Sequence, residues 1–106
     1  MKKEELRRYS PLLEFMNGLT EKERHKYIIQ APKPFIIFLC DLCYNILLGN
    51  LNLSHKTLLK LKPKRTLIER LCNKGISLKQ RRKILEKKNF FSDIISPIIP
   101  ELLNYL

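Results

Sequence analysis

Eight cationic side chains within one third of the chain carry the clearest chemical signal. Lys64, Arg65, Arg70 and Lys74 form one group, and Lys79, Arg82, Lys83 and Lys87 form a second. Ammonium and guanidinium groups at this density attract polyanions, because each can neutralise a phosphate and release its condensed counterion. Residues 55–88 hold 13 Lys and Arg against 2 Asp and Glu, a net of +11. Residues 1–54 hold 8 against 6 and residues 89–106 hold none against 2, so the flanks (+2 and −2) cancel. The basic segment therefore equals the formal charge of the whole chain, +11. A helical surface stabilised by i,i+4 ion pairs mixes signs, whereas only Glu69 and Glu86 interrupt this run. Nucleic acid phosphate is the first partner this implies, and anionic lipid the second. Aromatic residues do not alternate with the basic ones and no recognition-helix pattern is present, so the expected contact is with the phosphate backbone. Lys79-Gln-Arg-Arg-Lys83 with Lys87-Lys88 would serve equally as a nuclear import signal.

The other reactive residue types point to less. Cys40-Asp-Leu-Cys43 is a C-x-x-C, but a metal site needs a second pair, and the remaining cysteine is Cys72 with no histidine at ligand spacing. A redox pair belongs at a strand–helix junction, and these cysteines lie inside an apolar helical run, where a free thiol packs as a small hydrophobe. His25 and His55 have polar neighbours and no acidic residue arranged to orient them. The chain has no Gly-rich phosphate loop, no G-x-S-x-G and no H-E-x-x-H. No enzyme activity, metal or cofactor is expected. Three cysteines without framework spacing suit reduced thiols.

The elements that position the cations are helical. The chain has 106 residues, 44% hydrophobic, with 3 Gly and no Trp, which suits one small domain with a modest core. Met-Lys-Lys-Glu-Glu opens the sequence with no apolar run behind it, so no signal peptide is expected. Ser10-Pro11 reads as a helix start, with Gly18 as its stop. Thr20-x-x-Glu23 is a capping box for a helix to about Gln30, and Pro32 and Pro34 break it. Residues 34–48 are apolar nearly all round and end at Gly49, as a buried central helix does. That length reaches only ~21 Å at ~1.5 Å per residue, short of a ~30 Å hydrocarbon core. Asp41 and Asn45 share one of its faces, either as a buried polar pair or as an exposed strip, exposure being the simpler reading.

Ser54 caps a helix to about Leu61, and Pro63 starts another whose stripe is Leu67, Ile68, Leu71 and Cys72. Ser77-x-x-Gln80 opens a helix to about Lys88, with Leu78 and Leu85 on one face and Lys79, Arg82, Lys83 and Lys87 assigned to the opposite one. No segment alternates with period two. The expected fold is all-α, a small bundle of about five to six short helices around the central helix at about 34–48. Residues 1–88 form the expected helical domain, with basic helices at 55–88, and 89–106 an apolar C-terminal tail. Docking of that tail on the core is preferred, since a small domain needs the burial. Insertion into a bilayer interface or a partner groove is the alternative.

The order of features resembles a known group. Tyr44-Asn-Ile-Leu-Leu-Gly-Asn50, a Leu-x-Leu linker, Asn73-Lys-Gly-Ile-Ser-Leu-Lys-Gln-Arg-Arg-Lys-Ile-Leu85 and a Phe-Phe apolar tail follow one another over roughly residues 28–106. This is similar to the small basic proteins of adintoviruses and Maverick/Polinton-type elements, which are often compared with the adenovirus core protein precursor X (mu). Asn89-Phe90 stands where such proteins tend to carry Gly-Gly. The resemblance implies a virion core or minor virion protein that contacts packaged double-stranded DNA in the virion and host nucleus.

The leading expectation is binding and condensation of double-stranded DNA without sequence specificity. Two rivals remain. One is a membrane-active minor virion protein that uses the tail against anionic lipid. The other is a death-domain-like helical adaptor for an acidic protein partner. Capsid proteins or an anionic membrane are the further partners that the C-terminal tail would meet.

Overall fold

The computed structural model describes residues 2–104 and 106. Within them the chain forms six helical segments and no strand. The first is α1, Lys3–Asn17, which buries Leu6, Ser10, Leu13 and Met16 along one stripe. Pro11 lies inside α1, so the expected start at Ser10-Pro11 is corrected. A proline at this point removes the N–H that would bond the carbonyl of Arg7. The Ser10 hydroxyl donates to that carbonyl instead, at 3.5 Å, and the apolar stripe carries the helix across the break.

Helix α2, Glu21–Gln30, opens with the expected capping box: the Glu23 N–H donates to Thr20 Oγ1 at 3.2 Å and the Thr20 N–H to Glu23 Oε1 at 2.9 Å. Pro32 ends its extension and begins α3, Lys33–Leu48. Gly49 adopts φ 72°, a left-handed conformation that a side chain would strain. Its N–H reaches the Ile46 carbonyl while the Asn50 N–H reaches that of Asn45, which closes the helix as a Schellman motif.

Helix α3 is the centre of the core. Phe35, Ile36, Phe38, Leu39, Cys40, Leu42 and Cys43 are all buried, and Tyr9 of α1 lies against the rings of Phe35 and Phe38 at 5.5 and 4.6 Å. Asn45 is 4% exposed, so the exposed-strip reading is corrected for that residue. Its amide can be buried because Nδ2 donates to the Asp41 carbonyl at 2.8 Å and Oδ1 accepts from Asn50 Nδ2 at 3.0 Å. No helix among the described residues is long and apolar enough to cross a membrane.

Helix α4, His55–Leu61, a 3-10 turn at Lys62–Lys64 and α5, Arg65–Leu71, follow one another without a break. The turn takes up Pro63 in its first positions, and α5 starts directly after it. Ser54 caps α4 through the Thr57 N–H at 3.3 Å. Helix α6, Leu78–Leu85, has the expected Ser77 box, with Gln80 N–H to Ser77 Oγ at 3.2 Å and Ser77 N–H to Gln80 Oε1 at 2.8 Å. It ends three residues earlier than the sequence suggested. Asn89 turns the chain at φ 68°, and its N–H is held by Glu21 Oε1 at 2.9 Å.

The sixth segment is an irregular helix: a π turn at Phe91–Ile95, a 3-10 turn at Ser96–Ile98, and α7, Ile99–Leu103. Pro97 and Pro100 forbid regular i→i−4 bonding, and the changes of pitch accommodate them. Phe90, Phe91, Ile94, Ile95, Ile98, Ile99 and Leu102 are buried together with the rest of the core. Glu101 ties the segment to α4 by accepting the Ser54 N–H at 2.6 Å. The Thr57 hydroxyl and this N–H hold its carboxyl below the usual carboxylate value.

Candidate nucleic-acid interface

Helix α6 delivers the second cationic group. Ile84 and Leu85 are buried and Leu78 is half-buried, which fixes the rotation of the helix on α3 and α5. At about 100° per residue, Arg81 and Arg82 fall roughly 50° either side of the Leu78–Leu85 line. Both are half-buried, and both end on backbone carbonyls. Arg81 donates from Nη1 to Leu71 O at 2.9 Å and from Nη2 to Asn73 O at 3.0 Å. Arg82 donates from Nη1 to Ile28 O at 3.1 Å. These guanidinium groups sit at the C-terminal ends of α5 and α2, where carbonyls are left over and the helix dipole is negative. The assignment of Arg82 to the face opposite Leu78 and Leu85 is therefore corrected. The helical wheel already contained that signal.

Lys79, Lys83 and Lys87 are exposed. Lys83 and Lys87 meet Arg70 of α5 around a groove of about 380 Å³, with Asn73 and Gln80 beside them and Ile76 and Ile84 in its lining. No carboxylate lines this groove. Lys74 belongs to a different concavity of about 410 Å³, shared with Lys33, Arg81 and Asp41. Lys64 and Arg65 are compensated within the molecule. Lys64 Nζ lies 3.3 Å from Asp93 Oδ2, and Arg65 Nε lies 2.7 Å from Glu69 Oε1. The Lys64 pair crosses to the C-terminal segment, and no local sequence pattern links positions that far apart. Arg65–Glu69 is an i,i+4 pair and was legible.

The eight residues thus divide by position. Arg70, Lys83 and Lys87 converge, Lys79 stands on the same helix as Lys83, and Lys74 opens on a neighbouring groove. Arg82 braces α2, and Lys64 and Arg65 face carboxylates of the same chain.

The cysteines lie deep or at the edge of the second concavity. Cys40 and Cys43 are buried and Cys72 is half-buried. Burial pushes the Cys72 thiol up to about 11 and raises Cys40 and Cys43 as well, so all three are thiols rather than thiolates near neutrality. Among the described residues no group of three His, Cys, Asp or Glu could hold a metal ion.

The fold and this surface define an all-helical bundle with a cationic groove between α5 and α6 that no carboxylate lines. Compared with known protein families, curated proteins and solved structures, the chain matches none.

Proposed function

We propose that the protein binds double-stranded DNA through its phosphates, without sequence specificity, as a core protein of a virus or virus-like element. The observation that carries the reading is the convergence of Arg70, Lys83 and Lys87 on a groove lined by no carboxylate. Like charges held together cost electrostatic energy unless a polyanion occupies the space. Asn73 and Gln80 add amides that suit phosphate oxygens, and exposed Lys79 and Lys74 add to the positive field. The segment's 13 cations against 2 carboxylates support long-range attraction to DNA. A virion, and the host nucleus during assembly, is the location this reading assigns, from the resemblance of residues 28–106.

A fluorescent DNA duplex titrated with the full chain at several salt concentrations tests it. Neutralising roughly five to six phosphates gives a slope of log affinity on log salt near −5. Replacing Arg70, Lys83 and Lys87 by Glu should abolish binding and leave helix content unchanged. No binding at ~50 mM salt, or an affinity indifferent to salt, would end the proposal.

A further inference from the structure

A second surface lies on α4 and the turn that follows it, ahead of the cationic groove in the chain. Helix α4 turns Thr57 and Leu61 inward, because Thr57 completes the cap made by Ser54 and Glu101. That rotation leaves the two central leucines outside: Leu58 is 46% exposed and Leu59 54%. They border a groove of about 300 Å³ whose inner wall includes the buried Ile68. His55, Lys62 and Arg65 stand around it, Arg65 already paired with Glu69, and no carboxylate lines it. Lys56 and Lys60 are also exposed on α4. Among the described residues no carboxylate pairs with Lys62.

We propose that this groove docks an acidic amphipathic helix of another protein, with apolar side chains in the groove and Asp or Glu against the rim. Three observations select this occupant. Lys62 at the rim, with Lys56 and Lys60 exposed on the same stretch, gives a positive field that favours a partner bringing negative charge. The site is concave and sized for one or two leucine-like side chains, which suits helix-in-groove recognition better than the convex apolar face that enters a bilayer. A second copy is disfavoured because each chain carries +11, and the apolar side chains of its acidic C-terminal segment, Phe90 to Leu102, are already packed in its own core. This inference goes beyond DNA binding and does not rest on it. A chain with both surfaces would tether DNA to an acidic partner.

The test uses the full chain and a fluorescent synthetic helix with Leu at i, i+3, i+4 and i+7 and Glu at the flanking positions. Two comparison helices carry Lys for Glu, or Ala for Leu. The Leu/Glu helix should bind at least about tenfold more tightly than either. Leu58→Ser with Leu59→Ser, at exposed positions, should weaken it about tenfold while leaving circular dichroism and duplex affinity unchanged. The variant Arg70→Glu, Lys83→Glu, Lys87→Glu should lose DNA and keep the peptide, so failure of one surface is distinguishable from failure of the other. Equal binding of the Ala helix, or full binding by the double-Ser variant, would overturn the proposal. So would Leu58- and Leu59-dependent capture by phosphatidylserine vesicles, or dimerisation through these leucines, in place of peptide binding.

Discussion

Arg82 Nη1 donates to the carbonyl of Ile28, 3.1 Å away and 54 positions earlier in the chain. The bond joins α6 to the end of α2 and spends a guanidinium on the fold within a segment otherwise rich in outward-facing cations. Cationic residues that are adjacent in sequence therefore have different work.

That division gives the first prediction. Arg82→Ala should lower stability by about 1–3 kcal/mol, because a charge-assisted bond across the two helices is lost and the Ile28 carbonyl keeps only the Ala31 N–H at 3.4 Å. It should leave the salt slope of DNA binding unchanged. Lys83→Ala should do the reverse, reducing the slope by about 1 with stability within about 0.5 kcal/mol of the parent. Urea denaturation and salt-titrated anisotropy on both variants separate the two roles.

The Ser10–Pro11 pair is testable by a double-mutant cycle. Ser10→Ala removes the donor to the Arg7 carbonyl and should destabilise by about 1 kcal/mol. In a Pro11→Ala background the alanine N–H can take that carbonyl, so the same change should cost less. A coupling of about 0.5–1 kcal/mol in urea denaturation is the expected outcome, and strict additivity would contradict it.

Removing residues 89–106 should unfold the remainder. Seven buried apolar side chains in that segment each contribute about 1.5–3 kcal/mol, and together they match or surpass the whole ~5–15 kcal/mol by which a domain is stable. The truncated chain should bind a hydrophobic dye and lose its cooperative thermal transition. A chain ending at Lys88 with an intact transition would contradict the packing described above.

Acid should destabilise the protein through Glu21 and Glu101. The Asn89 backbone N–H, assisted by Arg24, lowers the Glu21 pKa, and the Thr57 hydroxyl and Ser54 N–H lower that of Glu101. A carboxyl whose folded pKa lies below its unfolded value of 4.5 contributes stability above that value. The contribution is lost as pH falls through the folded pKa. Urea midpoints should therefore drop below about pH 4.5, and Glu101→Gln should flatten that acid limb while lowering stability near neutrality.

Local signals were legible where short-range chemistry decides the outcome. The Thr20 and Ser77 capping boxes, the Ser54 cap, the stop at Gly49 and the all-round apolar run to Leu48 each follow from a few adjacent residues. The start of α1 was not legible, since a side-chain bond and a buried stripe outweighed the local preference of Ser-Pro. The cationic groove was legible as a charge density but not as a shape, because which cations converge depends on how α6 rotates against α5.

The sequence by itself determined helices, their caps, and a positive segment with almost no carboxylates of its own, because those depend on residue types within a turn or two. Only the tertiary structure decided that Arg70, Lys83 and Lys87 meet, that Arg81 and Arg82 close helix ends, that Asp93 answers Lys64, and that Leu58 and Leu59 remain uncovered. Those outcomes depend on the packing of distant segments around α3, and that packing is fixed by the burial of the whole core at once rather than by any neighbouring pair of residues.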